Sequence, residues 1–310
     1  MIHFPRTREA GMTLVEMMVA MAIGLAVVLA AARLLGLAND AYAAQVEAAA
    51  LDDAGRYALD IVGRAVRQAA HADPLQLDLS APVDVLPARL AGLDARSLGS
   101  TTAGIATPLA AVANGSDVLA VRFPGAGGGT NGDGSVLNCA GFALPSFEEG
   151  WSIFYVANNG DGEPELRCKY RGNAGNWSAD AVVTGVDSFQ VLYGIDTDTP
   201  RDGAANRYLN ADAIQTLDAA FAGLPAQELH RRTWWKRVVS VRIALLVHGT
   251  RTTRHGPADT GFQLFGPVHA AAAATSDTGT VVREDALPDR LRRRERRLFS
   301  MTVALPAGAL

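Results

Sequence analysis

The chain has 310 residues, 49% hydrophobic and 19% charged, with a formal net charge of -4. That balance excludes wholesale disorder and supplies no basic surplus for general nucleic-acid binding. Its two cysteines are too few for a disulfide-dense scaffold or a four-ligand zinc site, but enough for one bridge.

Polarity is uneven from the start. Between residues 12 and 32 the only polar side chains are Thr13 and Glu16, and Gly24 is the only break in the apolar run from 17 to 32. Extended to about residue 37, with Arg33 near its far end, the tract is long enough to cross a bilayer. A short leader precedes it, carrying Arg6, Arg8 and Glu9. A secretory signal places its cleavage site after the apolar region. A simple anchor would hold Glu16 at the interface, because a mid-membrane carboxylate costs about 2.5–3.5 kcal/mol. Neither of these two readings gives Glu16 a use.

The run Gly11-Met12-Thr13-Leu14-Val15-Glu16, followed by the apolar tract, resembles the type III signal of type IV pilins and pseudopilins. The resemblance implies a leader of residues 1–11, cleaved by prepilin peptidase between Gly11 and Met12, and N-methylation of Met12. Met at the new N-terminus departs from the commoner Phe. Glu16 becomes the fifth mature residue and is expected to meet the N-terminal amine of a neighbouring subunit. A buried carboxylate needs such a partner, and single buried polar groups set register.

Further along, the pattern turns amphipathic. Leu37, Tyr42, Val46, Leu51, Leu59, Ile61, Val62 and Val66 recur at helical intervals, and Asp52/Arg56 and Asp60/Arg64 form acid-before-base pairs at i,i+4. Asp73-Pro74 is a stop signal. We therefore expect one helix over residues 12–72, membrane-spanning to about 37, with Gly24, Gly36, Gly55 and Gly63 as points where it could bend. Residues 73–113 read as an irregular connection. From residue 114 to 310 the grammar is that of strands: 117–123, 151–156, 165–170, 182–183, 186–193, 238–247 and 298–305, with Gly/Asn/Asp turns between them. A single long helix followed by a mostly antiparallel sheet is an α+β pattern. The segments SDVLAVRF, ELRC, VDSFQVLYGIDTD, NRYLNA, VVSVRIALLV and RRLFSMTVAL resemble the PilW type of minor pilin in order and spacing.

Few residues suggest chemistry. Cys139 and Cys168 follow the signal, outside the cytoplasm, where a bridge persists; the alternative is two free buried thiols. No C-x-x-C redox motif is present. Asp196, Asp198 and Asp202 approach a calcium loop, but Pro200 takes a ligand place and Arg201 adds a competing charge, so a plain acidic turn is expected and no metal. The Asn-Gly-Asp-Gly run at 159–162 is ordinary turn chemistry. Six arginines between 290 and 297 read as a solvated approach to the last strand, with acidic lipid or an acidic partner as the alternative. His71, His230, His248, His255 and His269 show no metal spacing, and Trp234-Trp235 reads as one core and one rim residue. Nothing argues for an enzyme or a cofactor.

The expectation is therefore a minor pilin that co-assembles with other minor pilins to prime pilus assembly near the filament tip. The partners it implies are the major pilin, prepilin peptidase, the inner-membrane assembly platform, a tip adhesin, and membrane lipid before assembly; nucleic acid is not among them. The expected location is the inner membrane with a periplasmic globular domain, then the filament. Competing readings are a type II secretion pseudopilin of the J type and a membrane-anchored periplasmic binding domain.

Overall fold

The computed structural model describes residues 11–69, 86–172, 175–252, 261–273 and 275–305. The expected leader falls almost wholly outside them, as do the Asp73-Pro74 stop, His71 and His255. The chain divides into two compact units, Met1–Ala48 and Ala49–Leu310.

Helix α1, Leu14–Gln68, runs through both without interruption at any of its four glycines. In the first unit it is the only element among the described residues, and its large apolar side chains are exposed, from Leu14 at 76% to Leu37 at 66%. It is the one described helix long and apolar enough to cross a membrane. The helix ends four residues short of the expected Ala72. Ala69 N–H closes a tight turn on the Val66 carbonyl (3.1 Å), and Arg89 Nη1 donates to the Ala69 carbonyl (2.9 Å). A helix terminus leaves carbonyls without intrahelical donors, and a guanidinium meets that need.

The second unit is built on two antiparallel sheets. The first has the order β1-β4-β5-β6-β7, formed by Leu90–Leu93, Val118–Pro124, Glu149–Asn158, Pro164–Arg171 and Trp177–Thr184. The second has the order β13-β10-β8-β9, formed by Arg294–Ala304, Val238–Thr252, Val186–Ile195 and Arg207–Leu209. Two short pairs, β2/β3 (Arg96–Leu98 with Pro108–Ala110) and β11/β12 (Gly261–Gln263 with Val281–Arg283), complete the strands. Helices α2 (Ala211–Asp218), α3 (Ala226–Arg232) and α4 (Pro267–Ala273) lie in the connections.

One apolar core joins the later part of α1 to both sheets. Ala58, Val62 and Val66 share it with Phe154 and Leu166 of the first sheet and Phe189, Ile243 and Leu245 of the second, all of them fully buried. Strand β8 is buried along its whole length and β10 along most of its own, because both of their faces are covered, whereas β7 and β13 alternate between partly buried and exposed residues. Ala244 and Leu246, on the other face of β10, enter a second cluster with Leu264, Val282 and Leu287. The inward row of β10 is Val241, Ile243, Leu245 and Val247, joined by Val238 and not by Val239, because a register shift between Val238 and Ser240 inserts an extra residue. The region 73–113 is not an irregular connection throughout: Leu90–Leu93 is an edge strand paired with β4, and β2 and β3 pair with each other.

Candidate functional site

The candidate assembly segment begins at the head of α1. Thr13 is its N-cap and Glu16 its third residue. Thr13 N–H and Oγ1 donate to Glu16 Oε2 (2.8 and 3.0 Å), and Glu16 N–H donates to Thr13 Oγ1 (3.3 Å). This is a capping box, in which each residue satisfies an orphan donor at the helix start. In the sequence these residues read only as a signal; the T-x-x-E spacing is the local cue that also marks the cap. The helix thus starts two residues after the Gly11–Met12 bond, and Gly11 and Met12 themselves are exposed and non-helical.

Cys139 and Cys168 are joined in a disulfide with Cα atoms 5.9 Å apart. Cys168 lies inside β6, opposite Phe154 of β5, and is buried. Cys139 sits in the loop ahead of β5, where its N–H donates to Ser152 Oγ (3.0 Å). The bridge ties an irregular segment to the middle of the first sheet.

The acidic loop after β8 does gather Asp196, Asp198 and Asp202, with one carboxylate oxygen from each within 4.8 Å of the others. The carboxylates already serve the backbone and one amide. Asp196 accepts from the N–H groups of Asp198 (3.0 Å) and Gly203 (2.8 Å), Asp202 from Ala204 N–H (2.8 Å), and Asp198 from Asn206 Nδ2 (3.1 Å). Arg201 is turned to the Lys236 carbonyl (3.2 Å). The Asn-rich hairpin turn behaves likewise: Asn159 Oδ1 accepts from Asp161 and Glu163 N–H (2.9 and 3.0 Å).

The arginine run is mostly paired, which corrects the solvated reading: Arg296 is buried, Arg292, Arg294 and Arg297 are half-buried, and Arg290 and Arg293 are exposed. Arg296 is fully buried, with Nε on Asp187 (2.8 Å), Nη1 on Glu284 (3.3 Å) and Nη2 on the Leu291 carbonyl (2.7 Å). Arg294 grips Glu163 with both Nη atoms, at 3.0 Å each. Arg297 reaches Asp52 of α1 (2.5 Å), Arg290 the Gly162 carbonyl (2.7 Å) and Arg292 Asp289 (2.7 Å). His248 stands between Glu163 (3.2 Å) and Asp187 (3.0 Å). Glu284, Asp289 and Glu295 lie within or beside the run, but the other acids that neutralise it lie far away in sequence, at 52, 163 and 187, and its spacing alone gave no sign of those. Trp235 is core, edge-on to Tyr193 at 4.8 Å, while Trp234 sits at the rim under Arg237 (5.0 Å).

A capped, exposed apolar helix at the head of a two-sheet domain defines the class of a pilin-like subunit. The Prokaryotic N-terminal methylation motif matches residues 6–32, and the family Type IV Pilus-assembly protein W matches residues 153–307. The chain belongs to the Type IV Pilus-assembly protein W family, a family of type IV minor pilins. Among solved structures it is similar to a type IV-like pilin, TTHA1219 from Thermus thermophilus, at 14% identity and a TM-score of 0.35, covering 83% of this chain and 95% of that one. No curated protein matches it.

Proposed function

We propose that this minor pilin is cut between Gly11 and Met12, N-methylated at Met12, and co-assembled with other minor pilins to prime the filament, remaining near its tip. The observation that carries the reading is the methylation-type signal over residues 6–32 running into a helix whose large apolar side chains from Leu14 to Leu37 have no cover. Such a surface is stable only in lipid or against other helices. The subunit waits in the inner membrane with its sheet domain on the periplasmic side, where the Cys139–Cys168 bridge persists. Partners on this reading are other minor pilins, the major pilin, prepilin peptidase, the inner-membrane assembly platform and a tip adhesin. The family match over the sheet domain favours the pilus over a type II secretion filament.

Deleting the gene tests this. Surface filaments should fall sharply in number, and the complementing protein should appear in sheared filaments at far below the amount of major pilin. Normal filament numbers in the deletion strain would refute a priming role. Intact-mass measurement should find the loss of residues 1–11 and the gain of one methyl group. A mature N-terminus beyond Met12 would refute the processing.

A further inference from the structure

The β1–β4 pairing sets two acids face to face. Leu93 pairs with Val118, so the next step of the register places Asp94 opposite Asp117. Both are buried, at 8% and 2% exposure. Like charges directly opposed destabilise a strand pair, and among the described residues no Lys, Arg or His ion-pairs with either carboxylate. Backbone N–H groups approach them instead. Asp94 accepts from Ala211 (3.0 Å) and Asp212 (2.7 Å) at the head of α2, and Asp117 accepts from Ala95 (3.1 Å) and from Val191 of β8 (2.9 Å). The pair therefore ties the edge of the first sheet to the second sheet and to α2.

The titratable groups around it do not relieve the charge. Asp212 of α2 bears on Asp94, and Asp277 bears on both acids. Asp277 is itself held by Asn210 Nδ2 (3.2 Å) and His269 Nε2 (3.3 Å). From β8, Tyr193 brings a buried hydroxyl, without a hydrogen-bond partner among the described residues, directly over Gly92 of β1, where a Cβ would strike it.

We propose that Asp94 and Asp117 form a proton-binding latch, in which an added proton tightens the junction of the two sheets with α2 and ionisation of both acids loosens it. Facing buried carboxylates resist double ionisation and titrate as a pair. Burial raises Asp94 to about 6, against the pull of its two backbone donors, and raises Asp117 well above its usual range. Since both are raised, their stabilising contribution is complete below the unfolded value, near 3.9; the share of Asp94 is lost as pH climbs through about 6, and that of Asp117 as pH climbs through its own raised value.

Native-state hydrogen exchange on the full chain in detergent micelles tests the latch. The amides of Ala95, Val191, Ala211 and Asp212 are followed from about pH 5 to about pH 8, with the intrinsic pH dependence of exchange divided out. Their opening equilibrium should rise with pH, by at most about tenfold per unit for one proton released. The rise should shrink in Asp117→Asn, which leaves Asp94 alone to titrate. Should that variant not fold, infrared spectra of the wild type decide, and a neutral-carboxyl band present at about pH 5 should weaken as pH climbs through about 6. A flat or falling opening equilibrium at the four amides, an unchanged slope in a folded Asp117→Asn, or the lack of such a band overturns the proposal.

Discussion

Gly55 of α1 lies directly beneath the ring of Phe299 on β13, so that a Cβ at this position would collide with three ring carbons. Two turns on, Gly63 takes the Met301 methyl group, 2.8 Å from where its Cβ would be. Glycine inside a helix costs about 0.5–1 kcal/mol relative to alanine. Here that cost lets helix and strand approach closely. On propensity alone Gly55→Ala would stabilise the protein by about 1 kcal/mol. We expect the reverse, a loss of about 1–3 kcal/mol from overpacking, read as a lower urea midpoint. A higher midpoint would contradict the close approach.

The disulfide spans 29 residues of sequence. On the loop-entropy account, replacing Cys139 and Cys168 together by serine should cost about 3–4 kcal/mol. The first sheet should survive, since β5 and β6 also pair over residues 153–158 and 164–169. Thermal melting of the double variant, with and without reductant, checks both points. The wild type should fall to the variant's midpoint on reduction, and the variant should not respond. A wild type indifferent to reduction would remove the bridge from the stability argument.

Arg296 and Arg293 lie three residues apart in the same basic run but differ in kind. Arg296 is buried between Asp187 and Glu284, whereas Arg293 is exposed. Removing one partner from a buried ion pair strands the other charges, at a cost of about 3–5 kcal/mol. Arg296→Ala should therefore unfold at markedly lower denaturant, while Arg293→Ala should stay within about 0.5 kcal/mol of wild type. Equal effects from the two would mean that the run acts as a general surface charge.

This contrast shows where sequence reading succeeds and where it stops. Strands β4, β5, β8, β10 and β13 were legible because they are rich in β-branched or aromatic residues, and β6 because it returns from β5 through an Asn/Gly/Asp turn. Strand β1 was not. Its sequence Leu-Ala-Gly-Leu has little strand propensity, and it is a strand because β4 offers an edge and Gly92 leaves room for Tyr193. Gly55 and Gly63 read locally as hinges, since the side chains that need their space lie more than 200 residues later. At the head of α1 the signal spacing and the apolar tract were legible because both are local, while the expected start at residue 12 gives way to Leu14, where Thr13 caps the helix. The arginine network and the Asp94–Asp117 pair were hidden for the opposite reason, that each is made by residues brought together only by the sheets.

Lys169 carries a pH prediction. It is fully buried in β6, and its Nζ donates to the Gly99 carbonyl (2.9 Å), Thr102 Oγ1 (2.9 Å) and the Gly104 carbonyl (3.0 Å), with the Trp177 ring 5.5 Å away. Burial lowers it to about 8. An amine depressed in the folded state penalises folding while it is charged, so its stabilising share is complete above the unfolded value, near 10.4, and lost as pH falls through about 8. Stability should rise between about pH 8 and about pH 10 more steeply in the wild type than in Lys169→Met. The variant should also free the loop over residues 99–104, seen as faster proteolysis there. Parallel pH curves would show that Lys169 is not the titrating group.

Glu16 separates a membrane anchor from a filament subunit. In the monomer its carboxylate is occupied by Thr13, and a capping partner of this kind contributes about 0.5–2 kcal/mol to the helix start. Thr13→Ala removes the hydroxyl of the box but leaves the carboxylate, and it should fray the first turn without abolishing incorporation. Glu16→Ala removes the carboxylate. In an isolated anchor that change deletes an awkward charge and leaves insertion intact or improved. In a filament it leaves the amine of the adjoining subunit without a counter-charge, at a cost of about 3–5 kcal/mol. That is enough to exclude the subunit from assembly, while cleavage after Gly11, which precedes assembly, should continue. The expected result is a processed, membrane-resident Glu16→Ala protein that is missing from sheared filaments, beside a Thr13→Ala protein that is present in them. Equal incorporation of both variants at wild-type level would reduce Glu16 to a helix cap.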